Sequence, residues 1–265
     1  MTKRRAAFDR STDPADYQRV PRPVAAMAKH FPDRHEIAEH EHERDQFVFA
    51  VEGVMRVTTA TQAWIVPPDR AVYIPGGIVH RVGMRGAVAM RTLYIANGAA
   101  RGLPAAPTVM VVSALLRELI LALLSEPVLY ARKGRGGFLA ELIFDEIRRA
   151  ERQALVVPLP RDPRLAKLCT ALLENPASRN TLEEWSGPSG ASARTLARAF
   201  ERELGMAFSA WRRRLRFHNA MEAIVRGDPI GAVAARNGYR SVSAFSASFR
   251  KTMGVAPTDV RKRSV

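Results

Sequence analysis

One structural pattern is written twice in the last hundred residues. The first copy runs through Thr181-Leu182-Glu183-Glu184-Trp185, Gly190, Ser192 and Ala193-Arg194-Thr195-Leu196-Ala197-Arg198-Ala199-Phe200. The second runs through Pro229-Ile230-Gly231-Ala232-Val233-Ala234, Gly238, Ser241 and Val242-Ser243-Ala244-Phe245-Ser246-Ala247-Ser248-Phe249. Each has a short apolar helix, a glycine where the chain turns, a serine at the start of the next helix and a phenylalanine on that helix's inner face. A serine hydroxyl there satisfies a backbone amide that has no partner within its own helix. This is the layout of a helix-turn-helix, repeated over about 182–203 and about 229–252. Between the copies, Phe208, Trp211, Leu215, Met221, Ala223 and Ile224 mark one long helix of about five turns. Its polar side carries Arg212, Arg213, Arg214 and Arg216. A rod of that length is expected to set the two outward helices roughly 34 Å apart, one pitch of duplex DNA.

Charge follows the repeat. The formal net charge is +15. Residues 161–265 hold 19 Lys and Arg against 9 Asp and Glu, whereas the first 160 residues hold 22 against 17. A field of this sign attracts a polyphosphate and speeds its association, so double-stranded DNA is the expected partner. In the first motif Leu196, Phe200 and Leu204 share an inner face, while Arg194, Thr195 and Arg198 face outward and Ser192 caps. An outward arginine can bond guanine O6 and N7 together; the competing reading is a solvated arginine or a phosphate clamp. In the second motif Val242, Ser243, Ser246 and Ala247 face outward with Arg250 below them, and Ser241 caps. With fewer donors there, the first motif is expected to dominate base readout and the second to add backbone contacts. Arg212, Arg213 and Arg216 on the rod complete the expected contact set.

The first half reads differently. Residues 1–28 are polar and contain Pro14, Pro21 and Pro23, the pattern of a flexible arm. Short β-rich runs follow: Phe47–Val51, a turn at Glu52-Gly53, then Val54–Thr59, Trp64–Val66, Ala71–Ile74, His80–Val82 and Met90–Ile95. Closely spaced short strands indicate a small antiparallel barrel or jelly roll over 29–100. Gly98 to Pro107 is a linker. Over 108–154 two amphipathic helices are expected, one on Val112, Leu115, Leu116, Leu119, Leu123 and Leu124, the other on Phe138, Leu142, Ile143, Glu146 and Ile147. Such a pair packs back on the barrel or meets a second copy of the chain. Cyclic dimers are the commonest oligomers, so a homodimer is expected. Leu155 to Pro163, with prolines at 158, 160 and 163, forms a stiff boundary before an all-α domain at 162–259. The fold class is α+β. The lone Cys169 cannot build a disulfide framework and reads as a small buried residue. The longest apolar run, Val109–Leu124, is broken by Arg117 and Glu118 and is short of the roughly 20 residues a bilayer span needs, so it reads as a buried helix. With no apolar run behind Met1-Thr2-Lys3-Arg4-Arg5, a cytoplasmic protein without a membrane partner is expected.

Residues 162–259 resemble the DNA-binding domain of the AraC/XylS family of bacterial transcription regulators. The likeness is densest over Ile230-Gly231-Ala232-Val233-Ala234, Asn237-Gly238-Tyr239, Ser243 to Lys251 and Gly254-Val255-Ala256-Pro257. One departure is Ser186-Gly187-Pro188 in the first helix of the first motif, where the family has helix formers. Gly and Pro inside a helix cost a few kcal/mol, so that helix is expected to be shortened or distorted. In the first half, His40-Glu41-His42, Gly53, and Pro75, Gly77 and His80 resemble the cupin pattern; Gln46 stands in place of the cupin acid and Met84 in place of its asparagine. Two histidines one residue apart on a strand point the same way, and an imidazole from a neighbouring strand can complete a facial metal site. Three readings stay open: His40, His42, His80 and Gln46 bind a divalent metal, bind a polar small molecule without metal, or are hydrogen-bonded histidines at a barrel mouth. None of these requires a cofactor. His30 and His35 receive no role, and His218 reads as a surface or packing residue. A cupin ahead of this DNA-binding domain is similar to a single-cupin subgroup that includes a repressor of a nitroimidazole efflux gene. The resemblance implies a repressor or activator whose barrel senses a small-molecule effector or metal and controls promoter binding. The alternative is a cupin metalloenzyme with an appended nucleic-acid domain, against which Gln46 weighs, being neither an anionic ligand nor a general base.

Overall fold

Residues 10–153, 156–175 and 178–263 are described by a computed structural model. Their elements divide between two units, Met1–Met55 with Val66–Ala154, and Arg56–Ile65 with Leu155–Val265. The first begins with the single-turn helix α1 (Ala15–Gln18), followed by β1 (Val24–Phe31), β2 (Glu36–His40) and β3 (Asp45–Thr59) as far as Met55; the rest of β3, and β4 (Gln62–Val66) as far as Ile65, belong to the second, and the first resumes through β5 (Arg70–Ile74), β6 (His80–Ile95) and β7 (Thr108–Val111). Helices α2 (Ala114–Leu124) and α3 (Arg135–Arg149) and the short β8 (Arg152–Gln153) close it. The sheet order is β1-β6-β3-β5-β7-β8, with β2 on β6 and β4 on β3. β1 and β2 run antiparallel to β6, and β5 runs antiparallel to β3 and β7.

Strand alternation assigns the two faces of this sheet. Val24, Ala26, Phe47, Phe49, Ala71, Tyr73, Leu93, Ile95 and Met110 form one face, covered by Leu116, Leu119, Ile120 and Leu123 of α2 and by Leu139, Ala140, Ile143, Phe144 and Ile147 of α3. The helical pair therefore packs back on its own barrel. Three residues of the same apolar series, Leu115, Phe138 and Leu142, stay exposed. The run Val109–Leu124, expected as one buried helix, is split between β7 and α2 because Ser113 caps the helix, accepting from the Leu116 amide at 3.0 Å.

Two further expectations change. Val24–Ala28, placed in the arm, open β1 in register with β6. Upstream of them Tyr17 is buried and stacks on Tyr94, and buried Arg44 donates to the carbonyls of Gln18, Val20 and Arg22. The remainder of that arm, residues 1–9, lies outside the described residues. Glu52-Gly53, expected as a turn, lies inside β3, which continues unbroken to Thr59. Gly53 takes φ +76°, and a Cβ there would sit 2.3 Å from the Ala87 carbonyl oxygen. The glycine marks a close approach of two strands within the sheet.

In the second unit come β9 (Val157–Pro158) and helices α4 (Pro163–Glu174), α5 (Leu182–Ser189), α6 (Ala193–Leu204), α7 (Phe208–Val225), α8 (Ile230–Arg236), α9 (Val242–Met253) and α10 (Pro257–Arg263). The stretch expected as a stiff boundary begins where the second unit resumes, at Leu155, and also adds a strand: Val157 pairs with Ala63, Pro158 with Gln62, and the Leu159 amide donates to the Thr61 carbonyl at 2.7 Å. Proline lacks a ladder donor, but its carbonyl is free to accept, and Pro158 O receives the Trp211 indole N–H at 2.7 Å. Leu165, Leu168, Cys169, Leu172, Leu196, Phe200, Trp211 and Leu215 form one core. Burial pushes the Cys169 thiol pKa up. A second core sets Phe217 of α7 stacked on Tyr239 and edge-on to Phe245 and Phe249, at centroid distances of 6.0, 5.9 and 5.4 Å. Helix α5 survives Gly187 and Pro188. Thr181 and Glu184 form a reciprocal capping box at its start, and Pro188 lies in the last turn before Gly190 ends the helix at φ +66°. Among the described residues no helix is long and apolar enough to cross a membrane.

Gly53→Ala and Gly86→Ala separate backbone strain from steric contact. Both sites have positive φ, but a Cβ at Gly86 meets nothing within 4 Å. Urea titration is expected to show a loss of about 1–2 kcal/mol for Gly86→Ala and a larger loss for Gly53→Ala. Equal losses would remove the close approach as the reason for Gly53.

Candidate effector site and nucleic-acid interface

The barrel histidines meet because one turn is pressed against another. The Gly77 amide donates to the His42 carbonyl at 2.8 Å, and the Gly76 amide donates to Asp45 Oδ1 at 2.9 Å. The Tyr73 hydroxyl donates to the other oxygen of Asp45. A Cβ on Gly76 would lie 2.6 Å from the Glu43 carbonyl oxygen, so only glycine permits this approach. β2 shifts register between Ile37 and His40, which sets His40 directly across from His80. His42 lies just beyond the end of β2, so the shared-strand geometry holds for His40 alone. Ring centroids are 4.3 Å apart for His40 and His80, 4.9 Å for His40 and His42, and 5.5 Å for His42 and His80. One ring nitrogen from each lies within 4.8 Å of the others.

Backbone carbonyls orient two of these rings. His40 Nδ1 lies 2.7 Å from Ala38 O, and His80 Nδ1 lies 2.8 Å from Ile78 O. Each Nδ1 is thereby assigned as the donor, which leaves Nε2 with the lone pair. Among the described residues, buried His80 Nε2 has no hydrogen-bond partner, and neither has buried Gln46 Oε1. Gln46 Nε2 lies 3.4 Å from His42 Nε2. Burial, with the neighbouring imidazoles adding to it, pushes the His42 pKa down to about 4. Burial likewise pushes His80 down to about 4, against the pull of the Ile78 carbonyl. Both rings are neutral at pH 7, the form that ligates a metal. Converging imidazoles, a carbonyl behind two of them and an orphaned buried Nε2 fit a divalent cation of the nitrogen-preferring kind. Gln46 adds a neutral oxygen and no charge.

His40, His42 and Gln46 line a cavity of about 1100 Å³, together with Met27, Phe31, Val48, Val82 and Met90. Volume and lining suit a small organic molecule held by a few polar groups. Tyr94, absent from the sequence expectations, sets its ring edge-on to His42 at 5.0 Å. Asp45 was also unmarked: as the residue before Gln46 it points to the other face and holds the glycine turn. Its only sequence signal was its place beside the histidine motif.

In the second unit Ser192 caps α6 by accepting from the Thr195 amide, and Ser241 caps α9 by accepting from the Ala244 amide, each at 3.2 Å. Arg194, Thr195 and Arg198 are all exposed on α6, and neither arginine has an ion pair or side-chain hydrogen bond among the described residues. On α9, Val242, Ser243, Ala247 and Arg250 are exposed and Ser246 is half-buried. Arg250 lies 4.0 Å from Asp259. The arginines of α7 divide. Arg213 is exposed. Arg212 lies over the Phe208 ring and donates to Asn180 O at 2.8 Å, and Arg216 donates to Ser178 O at 2.8 Å. These two hold the loop ahead of α5 onto α7, a role the sequence did not disclose. Exposed Arg202, Arg240 and Lys251 extend the basic surface beyond the expected set.

A barrel with a polar cluster in its cavity, joined in one chain to two capped helix-turn-helix motifs on a common helix, defines a sequence-specific DNA-binding transcription regulator with a sensor domain. Residues 185–263 match the family described as a helix-turn-helix domain, and residues 29–96 match the one described as a cupin domain. The chain is 31% identical over 218 residues to the HTH-type transcriptional regulator NimR of Escherichia coli (strain K12), covering 82% of this chain and 80% of that protein. It belongs to the AraC/XylS family of transcription regulators, in the branch with an N-terminal cupin domain. The HTH-type transcriptional regulator RipA of Corynebacterium glutamicum is 34% identical over 101 residues, 38% of this chain and 30% of that one. Among solved structures, ToxT from Vibrio cholerae O395 aligns with 92% of this chain and 98% of its own at a TM-score of 0.39 and 12% identity.

The histidine cluster gives stability a pH dependence. His42 and His80 have folded pKa values near 4, below the ordinary 6.5. Protons therefore bind the unfolded chain more readily between those values. Stability is expected to be fully present above pH 6.5 and to fall as pH drops toward 4, by on the order of 2 kcal/mol per group. Urea titrations at steps across that window, with His42→Ala/His80→Ala as comparison, check it. A parent protein whose stability does not change over the window rules out neutral burial of the pair.

Proposed function

We propose that the first motif carries most of the base readout, through Arg194, Thr195 and Arg198, and that Val242, Ser243, Ser246, Ala247 and Arg250 of the second motif add backbone and methyl contacts. The observation that carries this reading is the exposed guanidinium pair on the Ser192-capped α6, which has no ion pair or side-chain hydrogen bond among the described residues. A guanidinium unpaired in the protein retains its full fork of donors for guanine or phosphate. Ser192 and Ser241 act as caps that aim the helices. Arg213 meets a phosphate, and Arg212 and Arg216 act by fixing the loop that precedes α5. Arg198→Ala is expected to weaken binding to a selected duplex by about 1–3 kcal/mol with no change in thermal unfolding. For the parent protein log K is expected to fall steeply with log salt, by about 0.9 per phosphate contacted. Unchanged affinity in Arg198→Ala would take this arginine out of the contact set, and indifference to salt would contradict phosphate binding.

The barrel serves as the sensor. His40, His42 and His80, with Gln46 beside them, hold a divalent cation or a polar effector, and occupancy shifts the population of DNA-binding states. A bound cation would supply positive charge and an open coordination position for an effector; His40 and His80 would present Nε2 to it, held by the carbonyls of Ala38 and Ile78. The set lacks a carboxylate to serve as anionic ligand or base, which favours sensing over catalysis, so the chain is read as a regulator and not an enzyme. Such a protein works in the cytoplasm, where the promoter is.

The chain forms a homodimer through α2 and α3. Leu115, Phe138 and Leu142 are 54%, 59% and 51% exposed on those helices, an apolar set left over after the barrel is covered. Phe138→Asp with Leu142→Asp is expected to yield a monomer in sedimentation-velocity runs, where the parent sediments as a dimer. Identical sedimentation of the two proteins would locate the contact elsewhere or eliminate it.

A further inference from the structure

Strand β3 belongs to both units. Asp45 to Met55 lie in the first and Arg56 to Thr59 in the second. Near its start Gln46 lies 3.4 Å from His42 in the cavity. Ten residues on along the strand, Arg56 Nη2 donates to Glu222 Oε1 and to Asn219 Oδ1 of α7, each at 3.0 Å. The side chains of Arg56 and Glu222 are only 17% and 7% exposed. Asn219 also donates to Leu215 O at 2.9 Å, which fixes its amide. His218, adjacent on the helix, is fully buried.

An ion pair removed from water returns little net stability, because the cost of desolvating both charges offsets their attraction. What it does supply is geometry. One guanidinium held by two acceptors three residues apart on a helix defines that helix's rotation and height against the strand end. The helix held in this way is α7, whose two halves core the two motifs through Trp211 and Phe217.

We propose that the Arg56–Glu222–Asn219 junction is a positioning device. Through it β3 sets the attitude of α7, so that what happens at the Gln46 end of the strand alters how the two reading helices are presented to DNA. This rests on the reading of the barrel as sensor and of α6 and α9 as reading helices. Arg56, Asn219 and Glu222 touch neither effector nor DNA and act through the elements they join.

A mutant cycle on the full chain tests this, read as affinity for the tightest duplex recovered by in vitro selection. His80→Ala perturbs the cavity end; Arg56→Lys keeps the charge and removes the fork; Asn219→Ala removes one acceptor without leaving a buried charge unpaired, and serves if Arg56→Lys does not fold. The expected result is that His80→Ala shifts duplex affinity about fivefold or more in the parent background and has little effect with Arg56→Lys or Asn219→Ala. A pair that only stabilised the fold would lower the unfolding temperature and leave the His80→Ala shift intact, and that result overturns the proposal. So does a parent protein that prefers the selected duplex but does not respond to His80→Ala. A parent that does not distinguish the selected duplex from a scrambled one overturns the regulator reading itself, and the junction with it.

Discussion

The DNA-binding half depends on one helix being buried along two different faces. Neither helix-turn-helix has enough apolar surface to close a core alone. Helix α7 supplies the missing wall twice. Its first half packs Trp211 and Leu215 against Leu196 and Phe200, and its second half sets Phe217 among Tyr239, Phe245 and Phe249. Aromatic pairs in tilted and edge-on arrangements contribute about 0.5–1.5 kcal/mol each beyond the area they bury, and their ring geometry fixes the angle as well as the distance. The attitudes of α6 and α9 relative to α7 are thus packing results. Their loops have little freedom left to set.

The same constraint sorts the arginines. A guanidinium on the side of α7 that faces the 178–180 loop finds backbone carbonyls within reach, and Arg212 and Arg216 satisfy them. Arg194 and Arg198 on α6 are exposed and have no ion pair or side-chain hydrogen bond among the described residues. One residue type does two jobs on adjacent helices, and what separates them is which acceptors each helix face meets. In the barrel the equivalent sorting is by tautomer. The carbonyls of Ala38 and Ile78 take the Nδ1 protons of His40 and His80, which turns an unsatisfied Nε2 inward. A buried polar atom without a partner costs about 1–3 kcal/mol, and a ligand that satisfies it recovers that cost on binding.

Much of this was legible in the sequence, and the misreadings share a cause. The helix-turn-helix pair could be read because caps, glycine turns and inner-face phenylalanines are local signals with fixed offsets. His40, His42 and His80 could be read because their spacing follows a pattern. Gly53 was misread because a glycine with positive φ looks the same in a turn and at a close approach between strands; only the Ala87 carbonyl distinguishes them. The pairing of Val157 and Pro158 within the boundary stretch was missed because proline weakens any strand signal, while pairing with β4 needs only an edge and a free carbonyl. Leu115, Phe138 and Leu142 were placed on the apolar stripe of each helix without a partner, because periodicity alone cannot say how wide a stripe the barrel will cover. Each error concerns a partner distant in sequence.

Gln46 bears on what the barrel can do. Four neutral donors leave the charge of a dication uncompensated, where a carboxylate in the same place would offset part of it and hold the ion more firmly. A catalyst benefits from a permanently held metal. A sensor needs the opposite, an occupancy that follows concentration and is lost when the signal falls, because a ligand shifts a two-state equilibrium only while it binds and releases. Glutamine at this position therefore agrees with the rest of the chain, in which the strand that begins beside Gln46 continues to the helix on which both DNA-binding motifs are built.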